Sequence, residues 1–342
     1  MSSRRVGIMS EIAEAPEAVR RQSQHLMAPL QLLVERCRRT PPRVVVTCAR
    51  GSSAHAATFG KHLIERHLGI PVAPAAPNIV SVYRQRLRLN GQLFLAISQS
   101  GRSDDLIEFT TMARAEGALT AAIVNDLDSP LADVSEIVVP MNAGPERSIA
   151  ATKSFVATLA ALLRLVALWA NDDALSCALE RLPDRLAAAG KIDWGSALGV
   201  LSQAHNLVTI GRGPTLAIAR EAALKLKEVC DLQAEPFSSA EFQHGPMALV
   251  TAHYPVLLFM STDEGGASLR ELAADLRQKR AVLLMPDMQP DLGSRSGLAP
   301  DHPDADAICL IQSFYGFAVQ LAERRGVGHK HPRHLQKVTR TR

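Results

Sequence analysis

The chain has 342 residues, 47% of them hydrophobic and 21% charged, with a formal net charge of +4. That length accommodates two globular domains, each with a core, and the composition is that of an ordinary soluble protein. The mild positive charge, much of it in the tail "HKHPRHLQKVTRTR", suits an acidic small ligand, and no nucleic-acid partner is expected.

The N-terminal stretch "MSSRRVGIMSEIAEAPEAVRRQ" has no apolar core, so no signal peptide is expected. Residues 1–42 are predicted to form a helical lead-in. Short β-branched runs then alternate with helical patterns: "RVVVTCA" (43–49), "LFLAIS" (93–98), "LTAAIVN" (119–125) and "EIVVP" (136–140). The greasy run "FVATLAALLRLVALWA" (155–170) is interrupted by Arg164 and is predicted to be a buried helix, not a membrane span. Pro, Gly and polar residues in "LPDRLAAAGKIDWGS" (182–196) predict the join between domains. A second strand set follows: "HNLVTIG" (205–211), "PVLLFMS" (255–261), "AVLLMP" (281–286) and "AICLI" (307–311). The alternation predicts α/β architecture with parallel sheets covered on both faces. Five scattered cysteines without a CxxC pair fit reduced thiols in a cytoplasmic protein.

The halves echo each other. "VTCARGSS" (46–53) aligns with "VTIGRGPT" (208–215) at an offset of 162, and Ser98 and Ser261 end the next strands at an offset of 163. A duplicated α/β unit explains this, although generic strand–turn–helix units also match by chance. "SQSGRS" in the first half offers Ser98, Gln99, Ser100 and Ser103 as donors, with Gly101 allowing close backbone approach, where a strand meets a helix N-terminus. That is a neutral seat for a phosphate monoester; a plain helix cap at Ser103 or Asp104 is the ordinary alternative. The twin "STDEGG" carries Asp263 and Glu264, which would repel a phosphate, so one copy is expected to bind.

Together "SQSGRSDDLIE", "ARGSSAHAA", "AGPERSIAATKSF" and "EAALKLKEVCDLQAEPFSSAEFQHGPMALV" resemble the SIS (sugar isomerase) domains of phosphosugar enzymes. The resemblance extends to the isomerase half of glutamine–fructose-6-phosphate aminotransferase and to single-chain deaminases of amino-sugar phosphates. It implies two tandem SIS domains, each a parallel flavodoxin-like sheet with helices on both faces, here 43–185 and 195–325. A tail, 326–342, would close on the active site, and two subunits would share their sites in a homodimer. Ser98, Gln99, Ser100 and Ser103 match the family's phosphate loop, and Ser53 matches a serine that also reaches the sugar phosphate. Glu228 matches the glutamate that shuttles a proton between C1 and C2, and Lys225 a lysine assisting at the sugar oxygens or nitrogen. His244 matches a ring-opening histidine supplied by the neighbouring subunit, and Lys337 a lysine that forms an imine with the ketose. Arg50 stands where the aminotransferase has a cysteine, so it is counted among altered substrate contacts. Residue 2 is Ser2 rather than a cysteine nucleophile, and about 43 residues precede the first strand. A chain of this length is therefore expected not to make ammonia from glutamine itself.

Taken alone, Glu221, Lys225 and Glu228 at i, i+4, i+7 share one helical stripe, which suits proton transfer if burial raises a carboxylate's pKa. A solvated face with ion pairs is the common alternative. Glu221 is kept as a substrate contact. His244 precedes Gly245-Pro246 and is predicted in a loop before a helix start. Glu146 and Arg147 are candidates for positioning the substrate. His329, His331 and His334 lie close in sequence, but basic neighbours and the lack of a carboxylate or cysteine oppose a metal there, and none is expected. The predicted activity converts an amino-sugar phosphate of the glucosamine 6-phosphate type to fructose 6-phosphate and ammonia, with no cofactor. Ammonia-dependent synthesis, fructosamine-phosphate deglycation and a non-catalytic sugar-phosphate sensor are the alternatives.

Overall fold

The computed structural model describes residues 7–195, 197–286, 298–327 and 334–337. Two compact units emerge, each built around one parallel sheet. The first-sheet unit holds Glu17–Glu146, Lys153–Leu179 and the described part of Gln336–Arg342; the second-sheet unit holds the described parts of Met1–Pro16, Arg147–Thr152 and Glu180–Leu335.

The chain opens on α1 (Ile8–Arg39), the expected helix. The first-sheet unit then alternates β1 (Val45–Ala49), α2 (Gly51–Leu68), β2 (Val72–Pro74), α3 (Asn78–Ser81), β3 (Leu93–Ser98) and α4 (Asp104–Ala115). It continues through β4 (Leu119–Val124), α5 (Pro130–Val134), β5 (Ile137–Pro140) and α6 (Lys153–Ala170). The strand order is β2-β1-β3-β4-β5, parallel throughout, with Ala49 opposite Ile97 and Ser98 opposite Val124. Because β3 is buried at every position, its sequence is a continuous apolar run and not an alternating one. On one face Phe94 and Phe109 meet at a tilt, ring centroids 5.1 Å apart, within a core shared by α4 and α5; α2 and α6 pack together elsewhere on the sheet. The buried Gln22 of α1 donates its side-chain amide to the carbonyls of Met141 and Ala157, tying the helix to this unit.

Next come α7 (Asp173–Ala189), α8 (Ala197–Gln203), β6 (Asn206–Gly211), α9 (Pro214–Cys230), β7 (Gln233–Ser238) and α10 (Ser239–Gln243). A short 3-10 turn (Pro246–Leu249) leads to β8 (Pro255–Leu258), α11 (Gly265–Gln278), β9 (Val282–Leu284) and α12 (Pro303–Arg324). The second sheet has the order β7-β6-β8-β9 among the described residues, which repeats β2-β1-β3-β4 element for element. Arginine-glycine follows the first strand of each half, and Gly51 and Gly213 both take positive φ, +52° and +57°.

Three readings of the sequence are corrected. "AICLI" is not a strand but part of α12, where His302 accepts the Asp304 N–H as N-cap and Pro303 takes the first turn. A short apolar run fits a helix buried on all sides as well as a strand, and Ile308, Cys309 and Ile311 are fully buried there. Pro183 does not break the chain but lies inside α7, where its ring removes one backbone donor; the helix gives way at Gly190. The second-half strands are also shorter than their apolar runs, β8 stopping at Leu258 and β9 at Leu284. As predicted, 155–170 lies within a buried helix. Both α6 and α12 are long and apolar enough to cross a membrane, but 83% and 89% of those windows are buried inside the protein.

Candidate functional site

In the first-sheet unit the order reverses between β1 and β3, and in open parallel sheets that crevice is where ligands bind. The loop "SQSGRS" leaves β3 at this point. Ser98 is buried and its Oγ accepts the Gly101 N–H at 3.1 Å, while Ser100 Oγ accepts the Arg102 N–H at 3.4 Å. Each hydroxyl keeps its own hydrogen to donate. Gly101 has φ +63°, and a Cβ there would overlap the Ser129 hydroxyl. Ser103 takes the N-cap position of α4 but makes no side-chain cap hydrogen bond. Its hydroxyl is therefore not consumed by the capping role that the sequence also allowed. Ser53 lies in the first turn of α2, half-buried. Arg102 turns away from the loop, onto Asp126 at 2.8 Å.

Arg50 reaches across from β1 to α4. Its Nε and Nη2 both donate to Asp105 Oδ2, at 3.0 and 2.7 Å, and the Asp105 side chain is fully buried. Asp105 was legible only as an acid in the first turn of a helix; its partner lies 55 residues earlier. Elsewhere in this unit Lys337 lies 3.6 Å from the carboxylate of Glu146, which also accepts the N–H and hydroxyl of Ser154.

The corresponding loop of the second-sheet unit carries its own anion. Asp263 Oδ1 accepts the Ser261 hydroxyl at 2.7 Å and the Gly265 N–H at 2.9 Å, at the N-terminus of α11. Carboxylate and helix N-terminus are complementary in charge.

The Glu221–Lys225–Glu228 stripe lies on α9, with Glu228 about 21 Å along the helix axis from its start at Pro214. It is not a solvated face: the side chains of Glu221 and Lys225 are 0% and 2% exposed. Lys225 Nζ sits 3.3 Å from Glu221 and 2.5 Å from Glu228, and Tyr315 of α12 donates its hydroxyl to Glu221 at 3.4 Å. Burial by itself lowers the Lys225 pKa, but the two adjacent carboxylates outweigh it and hold the value above 10.5. The lysine is an ammonium at every ordinary pH. Glu228 alone of the three keeps its side chain partly exposed, at 21%. That leaves Glu228 open to exchange a proton with a ligand, beside the Lys225 ammonium.

His244 caps the end of α10 and precedes Gly245 and the 3-10 turn, as the sequence indicated. Its side chain is exposed and is not joined to the Lys225 cluster by any hydrogen bond or ion pair among the described residues. Sequence reasoning missed Tyr315, masked by the mistaken strand. It also missed Glu11, a buried acid accepting the Arg147 and Ser148 N–H groups at 2.5 and 3.2 Å. A lone acid on the apolar side of α1 was the available signal. No group of three metal-ligating side chains occurs among the described residues, and His329 and His331 lie outside them.

The SIS domain family matches residues 41–168 and 200–285. Glutamine–fructose-6-phosphate aminotransferase of Symbiobacterium thermophilum is 36% identical over 229 residues, 63% of this chain and 37% of that protein. The Thermotoga maritima enzyme of the same name is 29% identical over 311 residues, 86% of this chain and 50% of that protein. The chain thus spans between about a third and a half of the length of these relatives. A structure from Silicibacter pomeroyi assigned as a phosphosugar isomerase superposes with a TM-score of 0.87 at 42% identity, covering 94% of this chain and 98% of that one. Glucosamine-6-phosphate deaminase of Thermotoga maritima shares the fold, with a TM-score of 0.68 at 21% identity, covering 96% of this chain and all of the other. Family match, duplicated parallel sheets and serine-rich loop agree: the chain belongs to the SIS domain family.

Proposed function

We propose that this chain is a phosphosugar isomerase that deaminates an amino-sugar phosphate of the glucosamine 6-phosphate type, giving fructose 6-phosphate and ammonia. The observation that carries the reading is the buried Lys225 ammonium between two carboxylates, one of which, Glu228, is open to a ligand. The loop from Ser98 to Ser103 holds the 6-phosphate through hydroxyls and backbone N–H groups, and Ser53 and Gln99 add donors. His244 assists ring opening, and its exposure suits a residue offered to a second copy of the chain in a homodimer. Glu228 then takes the C2 proton of the open-chain aldehyde, forming an enolamine as O1 gains a proton. Returning the proton to C1 gives the C2 imine, and water adds to it and expels ammonia. The sum is amino-sugar phosphate plus water to ketose phosphate plus ammonia, with no oxidant or cofactor needed. Lys225 stabilises negative charge as the enolamine forms, and Lys337 is the candidate to capture the ketose carbonyl as an imine, losing a water that hydrolysis later returns.

A coupled assay for ammonia release tests this across glucosamine 6-phosphate, galactosamine 6-phosphate and a fructosamine 6-phosphate. Release from the first at the highest kcat/KM is expected; release from none would overturn the deaminase reading.

A further inference from the structure

We propose that Arg50, clamped by Asp105, is a specificity-determining residue that contacts the substrate's phosphate and supplies the cation the serine loop lacks. The inference rests on the sugar-phosphate ligand of the preceding section and adds how its charge is read. Ala49 pairs with Ile97, so Arg50 and Ser98 leave the ends of neighbouring strands at the point where the sheet order reverses. α2 packs on α6, whereas α4 packs with α3 and α5. An Arg50 side chain that starts α2 and ends on Asp105 of α4 therefore crosses the mouth of the crevice between them.

Its geometry fits a ligand contact better than a simple fastening. Nε and Nη2 share the single oxygen Oδ2, which fixes the guanidinium plane, and Nη1 is left over. The Asp105 side chain is 0% exposed, but that of Arg50 is 49% exposed. Oriented by its partner, the fork is ready to donate to an anion without losing further side-chain freedom. The serine loop's own arginine, Arg102, is spent on Asp126 and the Asp128 carbonyl.

The second half gives independent support. Arg212 stands at the position of Arg50, and its Cγ lies 3.1 Å from the point a Gly265 Cβ would occupy. Asp263 Oδ1, the built-in anion of that loop, lies 3.0 Å from the same point. The second copy thus places an arginine stem after its first strand beside an anion seat, and Arg50 holds the matching position in the first. Only the second copy fills that seat with a side chain of its own.

The test compares the wild-type chain with R50M, R50K and D105N. Calorimetric titrations with fructose 6-phosphate and inorganic phosphate are run beside steady-state ammonia release. R50M is expected to bind fructose 6-phosphate ~10–100-fold more weakly, the loss of a charge-assisted contact, and to show the same rise in KM with kcat within about threefold. R50K should recover part of the affinity as a point charge without the fork, and D105N should weaken binding several-fold by releasing the guanidinium. If R50M does not fold, R50Q gives the same readout. Fructose 6-phosphate affinity for R50M within about twofold of wild type would overturn the proposal and leave the deaminase reading standing. Arg50-dependent binding without ammonia release from any amino-sugar phosphate would do the reverse.

Discussion

The Ser261 hydroxyl donates to Asp263 Oδ1 at 2.7 Å, and that oxygen also accepts the N–H of Gly265. A serine three residues beyond a central strand and the first amide of the next helix thus converge on one anionic oxygen. In the other half the equivalent strand ends on Ser98, and the residue at the place of Asp263 is Ser100. The two halves show the same device with and without its anion. Exchanging a fixed carboxylate for a hydroxyl would leave room for an anion from solution to take the carboxylate's role, which is the arrangement the proposed phosphate seat requires.

Replacing Glu228 by glutamine removes the exchangeable proton and preserves the shape. E228Q is expected to lose ~10²–10⁴-fold in kcat, the usual contribution of a general acid–base group, while binding fructose 6-phosphate like wild type. Single-turnover ammonia release beside calorimetric binding checks both halves of the statement. Unchanged turnover would remove Glu228 from its assigned role.

Whatever its part in catalysis, Lys225 neutralises a fully buried Glu221. K225M strands that carboxylate and is expected to destabilise the fold by about 3–5 kcal/mol. The folded-state pKa of Lys225 is raised, so its contribution is complete below the unfolded value near 10.5 and fades only as pH climbs through the higher folded value. Urea unfolding should therefore show the same deficit for K225M at pH 7 and pH 9. A deficit that disappears by pH 9 would mean that Lys225 titrates low.

The acid–lysine–acid stripe was legible because a 3.6-residue period places i, i+4 and i+7 together, and the distances of 3.3 and 2.5 Å follow from it. What the pattern could not show was burial, because α12 and its Tyr315 come from about 90 residues later. Likewise β3 was read to the residue, whereas β7, "QAEPFS", was missed. A strand that pairs on one side only tolerates Pro236 and polar positions, which blurs both the apolar run and its alternation. The Arg50–Asp105 pair depends on which strands are neighbours, and the order β2-β1-β3 is a long-range property that no local window carries.

Gly101 is where the anion seat is most constrained. It combines φ +63°, costly for any L side chain, with a Cβ position already occupied by Ser129. G101A is expected to displace the loop and weaken sugar-phosphate binding at least ~10-fold. Adding S129G should relieve the overlap but not the backbone strain, recovering part of the loss. Full binding in G101A alone, measured by calorimetry, would show that the loop does not need this geometry.

Asp263 gives the sharpest check on the duplicated seat. D263S recreates the residue found at the equivalent place in the first half and removes a carboxylate at the N-terminus of α11. Loss of that charge–dipole contact and its hydrogen bonds is expected to cost about 1–2 kcal/mol. The Ser261 hydroxyl and the α11 N-terminus would then lack the carboxylate they share, so sulfate or phosphate should bind there, weakly because Glu264 still stands at the N-cap. Thermal unfolding with increasing sulfate should therefore raise the melting temperature of D263S more steeply than that of wild type, closing part of the gap. Chloride at matched ionic strength separates binding from screening and should not close it. Parallel sulfate curves for the two proteins would mean that the second loop has lost the seat's geometry, and not merely filled it.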